Sequence, residues 1–435
     1  MKSAQGEMVK LPFREDYIKA YRFIGPASIF SGQQFNEMRQ RYASAFKGRG
    51  GHLVAVKMDD TAQIAAILLE AITAELSVFL DRVGMDDVSL KGIGAALVVE
   101  VDGQLRHTGG YQSDRNTSRV LIQTSGTTGV PKIAEHEIDR LLGRIKIPAT
   151  MSSARWLMSY HPKSFAGLQV LLTFLSGGHE LVYGLEHTVS DLVCLALQYK
   201  PTHISATPTF WRSLMMAGGQ VLPLKVITLG GEAVDQVLLD SLRRAFPGAL
   251  IQHIYASTEA GALFGVKDGL AGFPVKWLES GTEGVRFRIN GDRVLEVHSP
   301  RMMARYSKKR EMPLSGDGWL ITGDIVDLKG DRVFFAGRQD SMINVGGSKV
   351  RPEEVETLAC TVEGVHDALV YGIKNPVVGQ LVAMDMVLVS GIKEAQVRQK
   401  LDDLFVKKLE RHKIPRVIKV VENIEANKSG KKVRK

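Results

Sequence analysis

Residues 124–132, Thr-Ser-Gly-Thr-Thr-Gly-Val-Pro-Lys, combine two glycines, four hydroxyl side chains and one lysine. Glycines let a backbone turn tightly and approach a ligand closely. Consecutive N–H groups, hydroxyls and a cation are what a polyphosphate needs. The spacing is not G-x-x-x-x-G-K-[ST], so this is not a Walker P-loop. Taken alone, the stretch also suits a polar connection between two elements.

Four further clusters carry related groups. Gly230-Gly231-Glu232 follows an apolar run and could line a flat pocket. Tyr255-Ala256-Ser257-Thr258-Glu259 offers a ring for stacking, hydroxyls for phosphate and a carboxylate for Mg²⁺. Mg²⁺ usually takes one or two protein carboxylates together with substrate phosphates. Thr322-Gly323-Asp324 presents an acceptor suited to ribose hydroxyls, and Gly430-Lys431 lies in a basic tail. Each cluster alone has a plain reading as a strand end, a turn cap or an exposed tail lysine.

These groups need a scaffold. Residues 53–57 read as a strand, 61–80 as a helix, 95–101 as a strand, and 120–122 as the strand leading into the 124–132 loop. A helix is expected over 135–145, a strand over 156–160 and a buried helix over 167–176. Strands at 180–183, 203–206, 226–229 and 250–254 then alternate with helices at 190–199, 208–216 and 238–245. Such alternation predicts a mostly parallel sheet. Ligands bind at the carboxyl ends of its strands, where the polar clusters fall. Between 282 and 337 short alternating segments with turns at Asn290-Gly291 and Lys329-Gly330-Asp331 predict an antiparallel, barrel-like part. A smaller unit follows, with helices over 352–360 and 394–409 and strands over 342–344, 366–372, 381–389 and 417–421. The expected fold class is α/β. A large N-terminal domain of α/β sheets plus the barrel-like part spans 1–336, a hinge spans 337–340, and a small mobile C-terminal α+β domain spans 341–435.

Composition sets outer bounds. The 435 residues are 44% apolar and 24% charged, ordinary for a folded chain with a large core. Cys194 and Cys360 have no metal-ligand spacing and read as small buried hydrophobes in a reducing compartment. The first residues lack the apolar core of a signal peptide, and the apolar stretch at 64–80 is interrupted by Glu70 and Glu75, so no membrane span and a cytoplasmic location are expected. The net charge is +9. No aromatics interleave with the basic residues, so phosphate ligands or an acidic protein partner are expected rather than nucleic acid.

Taken in order, the stretches 124–132, 230–232, 255–259, 322–324, 337–354 and 430–434 resemble the adenylate-forming (AMP-binding) superfamily, and within it the acyl-CoA synthetase-like branch. The most extended match is Gly337-Arg338-Gln339-Asp340-Ser341-Met342-Ile343-Asn344-Val345-Gly346-Gly347-Ser348-Lys349 and the residues that follow it. The resemblance covers the chain from about residue 50 onward. It implies a two-step reaction with ATP, Mg²⁺ and coenzyme A. A small-molecule carboxylic acid becomes an acyl-adenylate, and a thiol then displaces AMP. It also implies roles. Thr124, Ser125, Gly126, Thr127, Thr128, Gly129 and Lys132 would hold the β- and γ-phosphates, and Glu259 the metal. Gly231 and Tyr255 would flank adenine, with Glu232 beside them in the ATP site. Asp324 and Arg338 would bind ribose, and Thr258 would touch the α-phosphate. Lys431 would bridge the carboxylate and α-phosphate during the first step only. Asp340 would be the hinge, and Gly346, Gly347 and Lys349 would lie on the thiol path.

The chain also departs from the family's pattern. Ala256 stands where a glycine is usual, and a larger residue there shortens an acyl pocket. Residues 160–168, Tyr-His-Pro-Lys-Ser-Phe-Ala-Gly-Leu, occupy the place of an aromatic/histidine pocket motif, with Ser164 where a histidine is common. The pocket residues implied are Lys163, Ser164, Phe165, Gly167 and Ala256. Lys163 there would pair with a second acidic group on the substrate; the plain alternative is a lysine directed to solvent. No acidic residue lies between Ser159 and Leu175, which counts against an α-amino acid. Phe165, Trp211, Phe264 and residues 260–262 suggest an apolar or aryl acid of modest size. Lys432 stands where an apolar residue is usual. Three functions remain: a ligase transferring the acyl group to coenzyme A, a ligase loading the phosphopantetheine arm of an acyl carrier protein, and a catalytically silent binding or scaffold relative.

Overall fold

The computed structural model describes residues 15–26, 28–110, 118–124, 132–145, 152–184, 188–307, 311–425 and 432. Two large mixed sheets enclose a helical layer. One has eight strands, in the order Gly261–Val266, Leu250–Ser257, Val226–Gly230, His203–Ala206, Arg155–Met158, Glu180–Val182, Arg22–Ile24, Ile29–Ser31. Its strands pair in parallel except at the two edges. The other has seven strands, in the order Arg305–Tyr306, Lys132–Glu137, Arg119–Thr124, Ser77–Leu80, Leu53–Val56, Ala95–Val99, Leu105–His107. Helices Thr61–Thr73 and Phe165–Leu175 are apolar on nearly every face, as helices between two sheets must be. They share one core with Val54, Val78 and Ile122 of the seven-stranded sheet and Phe23 and Leu181 of the eight-stranded sheet. The charge in the first helix, Glu70, is buried and paired with Arg39 at 2.7 Å.

The expected antiparallel part is a five-stranded sheet ordered Phe273–Pro274, Arg332–Arg338, Leu320–Lys329, Val294–His298, Arg286–Ile289. The chain then passes through the short helix Gln339–Ser341 to a C-terminal sheet built on the long pair Val365–Asn375 and Gly379–Leu388. Helices Pro352–Ala359 and Glu394–Lys408 complete that unit around their own core.

Several expectations are corrected. The helix read over 61–80 ends at Thr73; Glu75 adopts φ 60°, and Ser77–Leu80 is a strand between Leu53–Val56 and Arg119–Thr124. The helix read over 135–145 begins at Ile138, because Lys132–Glu137 pairs along its whole length with Arg119–Thr124. That pairing buries Glu135, which is held by Arg119 at 2.8 Å and Arg305 at 2.9 Å. Thr322-Gly323-Asp324 lies within the ten-residue strand Leu320–Lys329 rather than ending one. Cys194 is exposed, and Cys360 is only partly buried. Trp211 and Phe264, read as pocket residues, are core: the Trp211 indole donates to the Thr228 carbonyl at 3.1 Å, and Phe264 packs on Phe273 and Phe287. Helix Gly32–Phe46 and the strands Arg22–Ile24 and Ile29–Ser31 were not anticipated. No helix among the described residues is long and apolar enough to cross a membrane.

Candidate active site

The first cluster is flanked by two antiparallel strands. Its feet, Thr124 and Lys132, face each other in the ladder between Arg119–Thr124 and Lys132–Glu137. The intervening Ser125, Gly126, Thr127, Thr128 and Gly129 lie outside the described residues. The Lys132 ammonium sits 5.6 Å from the centre of the Tyr306 ring. The Tyr306 hydroxyl donates to Glu259 Oε1 at 2.6 Å. Tyr306 therefore links the hairpin lysine to the candidate metal-binding carboxylate. One carboxylate suits an ion that arrives on a substrate's phosphates better than one caged by the protein. Among the described residues no group of three or more His, Cys, Asp or Glu side chains could hold a metal.

Next to Glu259, the Thr258 carbonyl lies 2.7 Å from His136 Nε2. A carbonyl only accepts, so Nε2 carries a proton. Burial holds this imidazole well below the usual histidine range, at about 4. Its ring packs 5.4 Å from that of Phe165. His136 and Tyr306 were missed in the sequence, because neither sits in a motif and both reach the site from strands paired across long separations.

A second group of residues forms around Tyr255. Its ring lies 4.5 Å from Phe335 and 5.5 Å from Phe264, and its hydroxyl donates to the Asp324 carboxylate. Burial, and then the neighbouring Asp324, push the phenol up, so it remains a donor. Arg338 Nη1 donates to Asp324 Oδ1 at 3.1 Å, and Arg338 Nε to Asp340 Oδ1 at 3.1 Å. Asp324 and Arg338 are direct partners across two antiparallel strands. Gly323 adopts φ 76°, and a register shift follows between Ile325 and Val326. A ring platform, a carboxylate and a guanidinium are thereby fixed together by residues 255, 324 and 338. Ala256 sits at a bulge where the strand Leu250–Ser257 shifts register against Gly261–Val266.

A third group surrounds Glu232. Gly231 turns the chain after strand Val226–Gly230 with φ 85°. The Glu232 carboxylate accepts from Thr209 N at 3.1 Å, from Thr209 Oγ1 at 2.8 Å and from Lys432 N at 3.0 Å. The Tyr160 hydroxyl donates to the Gly230 carbonyl at 3.1 Å. The C-terminal tail therefore reaches the Gly-Gly-Glu turn. Lys431 lies outside the described residues.

The stretch read as an acyl pocket is a junction between the two large sheets. Lys163 does not face solvent. It is 1% exposed, and its ammonium donates to the carbonyls of Lys57 and Asp81 at 2.8 Å each and pairs with Asp59 at 2.7 Å. Ser164 caps helix Phe165–Leu175: its hydroxyl accepts from Gly167 N at 3.1 Å and donates to the His161 carbonyl at 2.8 Å. Gly167 is required by proximity, since a Cβ there would lie 2.0 Å from the His161 carbonyl oxygen. Phe165 is buried against His136. Gly346 and Gly347, with φ 58° and 88°, form the two-residue turn of a hairpin, and Lys349 faces Asn344 in it, exposed. The hydrogen bonds of this turn go to Val378 and Asn344 and reach none of the three groups.

The chain is similar to several known proteins. A 2-succinylbenzoate–CoA ligase of Staphylococcus epidermidis (strain ATCC 12228 / FDA PCI 1200) is 26% identical over 347 residues, covering 75% of this chain and 70% of the relative. A medium/long-chain-fatty-acid–[acyl-carrier-protein] ligase, FadD10, of Mycobacterium tuberculosis (strain CDC 1551 / Oshkosh) is 27% identical over 350 residues, covering 72% of this chain and 65% of the relative. The fold matches the crystal structure of the anthranilate CoA ligase AuaEII in complex with anthranoyl-AMP with a TM-score of 0.75 at 18% identity, over 95% of this chain and 93% of that one. Models of an AMP-binding enzyme and of the AMP-binding enzyme C-terminal domain match residues 84–286 and 354–431 in that order, and the chain belongs to the AMP-binding, adenylate-forming enzyme family.

Proposed function

We propose that this enzyme is an ATP-dependent acid–thiol ligase that activates a modest-sized aryl or apolar carboxylic acid as its adenylate and passes the acyl group to coenzyme A. The carrying observation is the joined set Tyr255, Asp324 and Arg338, a ring platform beside a ribose-type acceptor and a cation. Relatives named as aryl-CoA ligases support the acid class.

The first step must bring a carboxylate up to a polyphosphate, and both are anions. Binding must supply positioning and cations together. In this reading residues 124–129 and Lys132 bind the β- and γ-phosphates, which leave as pyrophosphate. Tyr255 and Gly231 hold adenine. Asp324 accepts from the ribose hydroxyls, oriented by its bonds from Tyr255 and Arg338. Glu259 would hold Mg²⁺, which would neutralise phosphate charge, and the Tyr306 bond fixes that carboxylate in place. Thr258 faces the α-phosphate, its backbone pinned by His136. Lys431 draws the acid's oxygen toward the α-phosphorus. The C-terminal unit then turns about Asp340, and Gly346, Gly347 and Lys349 admit the thiol that displaces AMP.

A second reading, loading of a carrier protein's phosphopantetheine arm, is favoured by the net charge of +9, which suits acidic carrier helices, and by the carrier-protein relative. Incubation with ATP, Mg²⁺, a panel of aryl and short-chain acids, and either coenzyme A or a phosphopantetheinylated carrier separates the two. AMP and an acyl-CoA are expected. An acyl-carrier without acyl-CoA would transfer the assignment to the second reading, and neither product with any acid would refute both.

A further inference from the structure

Around Glu232 the structure holds more charge than nucleotide binding uses. Arg212, on helix Pro208–Met216, is partly buried between Asp235 and Asp367. Asp367 belongs to the C-terminal strand Val365–Asn375, is 4% exposed, and lies 3.8 Å from Arg212 Nε. Lys432 Nζ donates to Asp367 Oδ1 at 2.7 Å and to the Ala368 carbonyl at 2.7 Å. The Lys432 backbone N–H donates to Glu232, and Glu232 accepts from Thr209 on the helix that carries Arg212. The contacts close a ring: Glu232, Thr209, Arg212, Asp367, Lys432 and back to Glu232.

The ring has two kinds of link. Lys432–Asp367 lies within the C-terminal unit and travels with it. Arg212–Asp367 and Lys432 N–Glu232 cross to the large domain and exist only while the two units are docked as here. Charges this buried are tolerated because they are paired, and removing one partner strands the other.

We propose that Lys432 and Asp367 are positioning residues for the acid-activating step, a proposal that rests on the two-step reaction above: Asp367 pins the tail through the Lys432 ammonium, and Arg212 and Glu232 latch that assembly against the nucleotide site. Rotation for thioester formation breaks the two cross-domain links and leaves Lys432–Asp367 intact. The apolar residue usual at position 432 cannot make this pin; the lysine of this chain does, against a carboxylate that also faces Arg212.

The test compares the full-length protein with Lys432→Met, which keeps length and apolar bulk, and Lys432→Arg, which restores the charge. Three quantities are measured: acid-dependent pyrophosphate–ATP exchange, thioester formation from a supplied acyl-adenylate, and amide hydrogen exchange over residues 365–371 and 208–216 without ligand. Lys432→Met is expected to slow the first step by about tenfold or more, since breaking a buried charge pair is costly. It should change the second by less than about twofold and accelerate amide exchange in both segments. Lys432→Arg should recover most of the first step. Equal loss in both steps, or unchanged amide exchange in Lys432→Met, would overturn the proposal. Absence of pyrophosphate exchange in the unsubstituted protein would instead refute the acid-activating reading, with the amide exchange still reporting on the latch.

Discussion

Replacing Lys163 by methionine separates two accounts of the junction at residues 160–167. If Lys163 reads a second carboxylate on the substrate, Lys163→Met changes the preference between mono- and dicarboxylic acids and leaves stability alone. The structure predicts the reverse. The ammonium donates to two backbone carbonyls, of Lys57 and Asp81, at 2.8 Å each. Hydrogen bonds from a charged group contribute about 1.5–3 kcal/mol each, so the pair contributes roughly 3–6 kcal/mol. Asp59 is 44% exposed and adds at most about 1 kcal/mol. Against this stands the cost of burying the ammonium, which holds its pKa below the usual lysine range even beside Asp59. The net loss on substitution is about 2–4 kcal/mol. The carbonyls stand at the carboxyl ends of Leu53–Val56 and Ser77–Leu80, so the two large sheets lose a tie. Thermal unfolding of Lys163→Met should show a midpoint lower by roughly 3–6 °C, since the unfolding entropy of so large a unit is high. The ratio of kcat/KM for matched mono- and dicarboxylic acids should stay within about twofold. A midpoint within about 1 °C of the parent, or a tenfold change in that ratio, would refute the reasoning.

Gly167→Ala places a Cβ 2.0 Å from the His161 carbonyl oxygen and 3.0 Å from Pro162 Cα, both backbone, so no rotamer change relieves it; a loss of about 2–3 kcal/mol is expected in urea unfolding. Tyr255→Phe keeps the ring but removes the bond to Asp324; KM for ATP should rise about three- to tenfold, consistent with about 1 kcal/mol, with a smaller change in kcat. His136 is held near 4 by burial, against an ordinary value of 6.5. The unfolded chain therefore binds the extra proton between those values, so its contribution to stability is complete above about 6.5 and is lost as pH falls toward 4. The full loss is about 3 kcal/mol, and denaturant midpoints of His136→Gln should fall less than the parent's between pH 7 and pH 4.5.

Legibility divides along physical lines. Local patterns read well: helix Pro208–Met216 and strand His203–Ala206 have the expected bounds, each marked by a cap, a turn or an apolar run. Where a segment's state depends on its neighbours, the reading failed. Ser77–Leu80 continues an apolar helix in sequence and becomes a strand only because a slot lies open between two others. Residues 135–137 were read as helix and extend because Arg119–Thr124 pairs with them. In the candidate site, Tyr255, Asp324 and Arg338, which the structure brings into contact, were singled out because backbone-defined motifs carry them. Tyr306 and His136 were not, because their importance lies in one hydrogen bond each to a residue more than forty positions away. Lys163 was misread as solvent- or substrate-facing because its partners are mainly backbone carbonyls, which leave no mark in a sequence.

The central claim is that this site joins an acid to the α-phosphate of ATP. Exchange of labelled pyrophosphate into ATP, with Mg²⁺ and each acid of an aryl and short-chain panel, tests it before any thiol is added. Label should enter ATP only when a suitable acid is present, and Glu259→Gln should reduce the rate by at least about a hundredfold. Exchange equal with and without acid, or none with any acid in a protein that still melts cooperatively, would contradict the claim.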